Sequence, residues 1–222
     1  SATDTAPPVT IYEPLLHIGK SYVTDDLCSA TLLADNFNAG LTGWTKAWTR
    51  NTDGWLRAPT EGMSQTVRSS GVFTDFSYSA VFSSTDRTGS FGLLFRHQDA
   101  NNFYRLVFTR TTGGIANSGY QLEKVQSGVT FTLTALTGTG YTISTWYHVE
   151  LRAVGNSFEV YLNGQRVLTA TDPASTFAEG DVGFFADRQD AVFFDDVLVT
   201  RMGDDGCFTG AGDVVTYTLT IS

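Results

Sequence analysis

FGLLFRHQDANNFYRLVF, from Phe91 to Phe108, decides the fold. Phe91, Leu93 and Phe95 recur at every second position, the period that sends side chains alternately to the two faces of a strand. Asp99-Ala100-Asn101-Asn102 then supplies turn residues, because Asp and Asn side chains bond to their own backbone and replace strand pairing there. A second apolar run, Phe103 to Phe108, completes a hairpin.

The same grammar extends outward in both directions. FSYSAVFSS (76–84), GYQLEKVQSG (119–128), WYHVELRAVG (146–155), SFEVYLNGQRVLTA (157–170), GDVGFFADR (180–188) and AVFFDDVLVTR (191–201) are short runs bounded by Gly, Asn, Asp or Ser. Asn163-Gly164 suits a type I′ hairpin turn, which needs positive φ at both central residues. About ten such runs in one body predict an antiparallel sandwich of two sheets. There is no internal repeat and no long amphipathic helix.

Composition agrees. The chain has 222 residues, 41% hydrophobic, with 22 Gly, 14 Lys+Arg and 23 Asp+Glu, giving a net charge of −9. Nucleic acid and anionic membranes repel such a surface, so neither is an expected partner. No apolar run is long enough for a membrane-spanning helix, so no membrane insertion is expected. The start, Ser1-Ala2-Thr3, reads as a mature or trimmed terminus. The two cysteines, Cys28 and Cys207, allow no C-x-x-C metal pattern and leave a disulfide or two buried thiols.

Catalytic chemistry has little to build on. Glycoside hydrolysis needs two carboxylates flanking the bond, and none of the six Glu lies two to four residues from another. Glu150 and Glu159 fall on neighbouring strands but read as solvent-face residues. His17, His97 and His148 join no Ser or Cys in a nucleophile motif, and there is no phosphate-binding Gly-Lys-Ser/Thr loop. The expectation is a protein that is not an enzyme.

A binding reading is richer. RHQDANNFYR gathers Arg96, His97, Asp99, Asn102, Tyr104 and Arg105 around one hairpin. Aromatic rings for a sugar's apolar patch, beside charged and amide groups for its hydroxyls, make a glycan site. The competing explanation is turn chemistry at Asp99–Asn102, with Arg96 paired to an acidic loop around Asp187. Trp44, Trp48 and Trp55 add indoles, of which one is expected in the core.

Three stretches resemble the concanavalin A-like, laminin-G-like jelly-roll superfamily. They are LADNFNAGLTGW (33–44), the opening hairpin 91–108, and the closing half, WYHVELRAVGNSFEVYLNGQRV with GDVGFFADRQDAVFFDDVLV. The resemblance covers roughly Leu32 to Arg201. It implies a structural Ca²⁺ where first and last strands meet, with Asp195 as side-chain ligand and oxygens around Asp35, Asn36 and Gly40 completing it.

The flanks, EPLLHIGKSY (13–22) and GAGDVVTYTLTIS (210–222), resemble two strands of an Ig-like repeat of bacterial surface proteins, the domain of unknown function family eleven. The implied organisation is an Ig-like flank at 1–27, a jelly roll at 28–207 and a returning Ig-like strand at 208–222. An insertion leaves and re-enters its host at nearby points, which implies a Cys28–Cys207 disulfide. The functional expectation is a non-catalytic extracellular module of a surface protein or filament, structural and adhesive, binding glycans and neighbouring repeats or subunits. A purely structural subunit assembling by strand donation and a polysaccharide-active enzyme are the alternatives.

Overall fold

A computed structural model describes residues 30–45, 48–59, 62–85, 89–111, 114–187 and 191–202. Its strands are β1 (Thr31–Asp35), β2 (Thr49–Arg50), β3 (Leu56–Arg57), β4 (Met63–Phe73), β5 (Phe76–Ser84), β6 (Gly89–Asp99), β7 (Asn102–Thr111), β8 (Gly114–Gln126), β9 (Val129–Thr137), β10 (Tyr147–Val154), β11 (Ser157–Leu162), β12 (Gln165–Thr171), β13 (Gly180–Asp187) and β14 (Val192–Arg201). One sheet runs β12-β11-β10-β5-β14-β3-β2, with β1 also on β14; the other runs β4-β13-β6-β7-β8-β9. The chain is an all-β, antiparallel two-sheet jelly-roll sandwich, as its alternation predicts. Cys28, Cys207 and both Ig-like flanks lie outside the described residues. No helix among the described residues is long and apolar enough to cross a membrane.

Period-two alternation builds the core. Phe91, Leu93, Phe95, Leu106, Phe108, Leu122 and Phe184 of the six-stranded sheet meet Tyr78, Phe82, Leu151, Val160 and Phe194 of the larger one, all fully buried. Rings touch across the layers, with Phe82 4.6 Å from Phe108 and Phe184 4.2 Å from Phe194. Each such buried side chain stabilises by roughly 1.5–3 kcal/mol. Trp44 and Trp48 join this core, while Trp55 does not. Tyr78 donates its hydroxyl across the layers to the Gly183 carbonyl at 3.0 Å, and burial pushes its phenol well above the usual range. A Cβ at Gly183 would stand 2.3 Å from the Thr66 carbonyl oxygen, so any side chain there would displace β4.

One irregularity redirects the hairpin that decides the fold. Arg96 has φ +46°, and the β6–β7 register shifts between Phe95 and Asp99. Such a bulge resets the alternation. Phe95 and Arg96 therefore both face the interior, and His97 faces outward.

Candidate functional site

The bulge divides the six residues expected to form one ligand face. Arg96, 1% exposed, is turned inward. It donates to the carbonyls of Thr74 (2.9 Å), Gly155 (2.6 Å) and Phe177 (3.1 Å) and pairs with Asp75 at 3.3 Å. It ties three loops to the end of the sandwich, and its carboxylate partner is Asp75, not the loop around Asp187. Tyr104 is fully buried too; its hydroxyl donates to Asp172 at 2.6 Å. Neither is available to a ligand, which corrects their assignment to a surface site.

Asp99 and Asn102 serve the turn. Asp99 accepts the Asn101 N–H at 2.7 Å and the Asn102 amide at 2.9 Å, and Asn102 Oδ1 accepts the Ser127 N–H at 3.0 Å. The Asn101 N–H, with the Asn102 amide, holds the exposed Asp99 carboxyl below its ordinary pKa. Two hairpin ends are locked together by these bonds.

His97 and Arg105 remain, and they share the outer face of the six-stranded sheet. Register puts Arg105 opposite Leu94 on one side and Glu123 on the other. Arg105 Nε donates to Glu123 Oε2 at 2.6 Å, and both side chains are mostly buried. The guanidinium carbon lies 5.1 Å from the centroid of the Phe185 ring. Beneath is a second apolar cluster, Val67, Leu94, Phe103, Val107, Val125 and Phe185, separate from the core. His97 stacks on Phe103, centroids 5.6 Å apart and rings 19° from parallel. Burial lowers its pKa, only partly offset by Asp99, so the imidazole is neutral at neutral pH. Its Nε2 is buried without a partner. A buried polar atom left unpaired costs free energy, so one retained on a face calls for a ligand or water.

Sequence reasoning missed Glu123, Phe103 and Phe185. The signal was there: YRLVF and YQLEK pair so that Arg105 meets Glu123, but register is not printed in either strand alone.

Glu150 and Glu159, the carboxylates on neighbouring strands, are held ionised. Burial alone would raise Glu150, yet Arg152 at 2.7 Å and Ser77 at 2.8 Å bring its pKa below the ordinary value. Glu159 behaves likewise under Tyr161 and Arg166. Neither has the raised pKa that a glycosidase's general acid requires.

At the other candidate site, β1 does lie beside β14, with Asp35 opposite Val197. Asp35 accepts the Phe37 N–H and the Trp44 indole N–H, each at 2.8 Å. Asn36 accepts the Asn38 N–H at 3.2 Å, and Gly40 closes that turn at φ +105°. Burial raises the pKa of Asp195, and the charges of Asp196 and Asp35 add to it. A cation would relieve that repulsion. Among the described residues no group of three or more His, Cys, Asp or Glu could hold a metal. Bound Ca²⁺ would therefore use Asp195 with backbone oxygens, a hard-oxygen donor set of the kind it accepts.

The outer face of this jelly-roll sandwich thus carries a clamped Arg–Glu pair over aromatic rings. The chain is a member of the 3-keto-alpha-glucoside-1,2-lyase-like domain family, whose model matches residues 34–200. It resembles the carbohydrate binding module CBM66 from Bacillus subtilis at 26% identity and TM-score 0.60, over 72% of this chain and 96% of that one. A Bacillus subtilis protein of unknown function with a galectin-like fold has 14% identity and TM-score 0.63, over 78% and 96%. Bacillus licheniformis β-glucanase has 11% and 0.57, over 77% and 98%. No curated protein matches.

Proposed function

We propose that the chain is a non-catalytic extracellular glycan-binding module of a surface-displayed assembly. It binds saccharide on the outer face of the six-stranded sheet. The observation that carries this is the Arg105–Glu123 pair, held over Phe185 beside a neutral His97 with an unpaired buried nitrogen. A clamped guanidinium and carboxylate present donors and acceptors at fixed spacing to vicinal hydroxyls, while the buried Phe185 and Phe103 back Arg105 and His97 from beneath and hold them in place. The likeness to CBM66 supports the same reading. Titration calorimetry against fructans, β-glucans, α-glucans, mannan and xylan tests it. Binding to one class, weakened about tenfold or more by Glu123→Gln, is expected. Equal binding by the variant, or none to any class, overturns it.

The family description favours a second reading, cleavage of a 3-keto-glycoside. Glu123 would take the C2 proton, the C–H pair would form a C1=C2 double bond, and the C1–O bond would break, with the aglycone oxygen taking a proton. Growth of enone absorbance that Glu123→Gln abolishes would select this reading; binding without turnover selects the first.

Ca²⁺ at Asp195 is part of the proposal. Chelation with EDTA should lower the melting temperature, and Asp195→Asn should remove that response. A melt indifferent to EDTA, with no metal by mass spectrometry, refutes it.

A further inference from the structure

The outer face of the larger sheet carries an aromatic group that the proposed site does not use. Trp55 and Trp146 meet edge to face, centroids 4.8 Å apart, and Trp55 meets Phe193 at 5.8 Å. Trp146 is 39% exposed, and Trp55 and Phe193 are partly so. These rings precede or lie on strands far apart in sequence, β3, β10 and β14, and both Trp-bearing loops are pinned. Asn51 Oδ1 accepts the Trp55 N–H at 2.8 Å, and the Asn51 N–H returns to the Trp55 carbonyl at 2.9 Å. The Ser144 N–H bonds the Ser84 carbonyl at 2.8 Å, and the Tyr147 hydroxyl accepts the Thr142 N–H at 2.9 Å. Indoles held rigidly at the surface, apart from the core, are preordered for a contact.

We infer that Trp55, Trp146 and Phe193 form a second saccharide platform, on the opposite side of the sandwich, for a neutral polysaccharide. Stacking on indole suits the apolar face of a sugar ring. The sheet register continues from the rings to an exposed polar side chain: Asp195, two positions beyond Phe193, pairs with Val81, and Val81 with the exposed His148. The charge selects the occupant. The chain carries a net charge of −9, so an anionic glycan is repelled. Size argues against a protein partner, because three rings fall far below the ~800 Å² that each side of a stable interface buries.

The test uses the full chain, affinity electrophoresis and tryptophan emission. Probes are dextran, hydroxyethyl cellulose, galactomannan and levan, with polygalacturonate as the anionic control. Trp44 and Trp48 are buried in the core, so a ligand-induced change reports the exposed pair. The expected result is retardation and an emission change with at least one neutral probe, the emission change reduced about tenfold by Trp146→Ala and kept by Arg105→Ala whatever that variant does to retardation. Trp146→Phe should recover part of it. A Trp146→Ala protein with an unchanged melt that binds every probe as wild type overturns the platform, as does stronger binding of polygalacturonate or no emission change with any probe. Loss of all binding on Arg105→Ala alone also overturns it while leaving the proposed site intact. Loss on Trp146→Ala alone confirms the platform and removes the proposed site.

Discussion

Tyr104 and Arg105 are neighbours on β7, and Glu123 and Lys124 are neighbours on β8, yet they build opposite sides of one sheet. Inward, Asp172 accepts from Tyr104 at 2.6 Å and from Lys124 at 3.1 Å, and Lys124 also donates to Thr176 at 2.8 Å. Outward, Arg105 and Glu123 pair over Phe185. Both groups are charge-paired and both are largely buried. The inner one joins the 172–179 loop to the sheet and has no room for a ligand, while the outer one is backed by apolar side chains on one side only. The same residue chemistry is buried inside the sandwich or presented on its outer face according to which face of the pleat it occupies.

The largest effect should come from breaking the inner group. Asp172→Ala leaves the Lys124 ammonium buried without its carboxylate, and removing one partner of a buried pair costs about 3–5 kcal/mol. Denaturant unfolding should show that loss. Replacing both charges, Lys124→Met with Asp172→Leu, should restore much of it, since an apolar pair of similar volume escapes the uncompensated charge. Glycan affinity of the folded fraction should stay unchanged in both. A fall in affinity would mean that the two faces are coupled and the contrast between them is false.

Tyr104→Phe comes next and carries a pH signature. Burial, then the hydrogen bond to Asp172, raises the Tyr104 phenol to about 12. Its unfolded value is about 10. The folded state holds the proton more tightly, so this contribution is complete below pH 10 and lost as pH rises from 10 to 12. At the acid end the sign reverses. Burial alone would raise Asp172, but Tyr104, Lys124 and Thr176 hold it well below the carboxylate range, so its contribution is present above about pH 4 and fades as pH falls further. Removing the hydroxyl should cost about 1.5–3 kcal/mol, as for a hydrogen bond to a charged group. It should flatten the wild-type decline above pH 10. An identical alkaline decline in the Tyr104→Phe protein would show that this phenol is not the group titrating.

How much of this was legible in the sequence follows from the same pleat. Alternation in 91–108 and 157–170 identified strands, faces and the two-sheet sandwich, because burial selects apolar residues at period two. It located the candidate hairpin but not which of its side chains face outward. The bulge at Arg96 leaves no mark in composition, and it exchanged the positions that Arg96 and His97 would hold in a regular strand. Tyr104 looks like a sugar-stacking ring until its partner Asp172, 68 positions away, is seen. Glu123 became visible only through register, a relation between strands. Asp35 and Asp195 could be placed near each other because the opening and closing strands of such sandwiches adjoin.

On the outer face, Arg105→Ala should weaken glycan binding about tenfold while costing less stability than the inner changes, since its loss strands Glu123 at the edge of solvent. Glu123→Gln keeps the shape and one acceptor but removes the charge that clamps Arg105, and should weaken binding by about the same factor. Calorimetry and a melt on the same samples separate the two quantities. A stability loss as large as that of Asp172→Ala, with affinity intact, would move the pair to the structural side of the comparison.

The smallest effect belongs to Asn102, and it bears on the sequence reading most directly. Read from sequence, Asn102 is a ligand residue; in the fold it joins two turns. Its amide nitrogen donates to both Asp99 oxygens, at 3.0 and 2.9 Å, and its oxygen accepts the Ser127 N–H at 3.0 Å. All three bonds are at exposed positions, where water can replace them, so Asn102→Ala should cost only about 1 kcal/mol. The Asp99 carboxyl should at the same time rise toward its ordinary value, because the Asn102 amide is one of the donors holding it down. NMR titration of the carboxyl carbon measures that rise, and the glycan affinity should match wild type. If affinity falls several-fold while the melt and the Asp99 titration stay put, Asn102 touches the ligand, and the site extends over the turn to the hairpin tip.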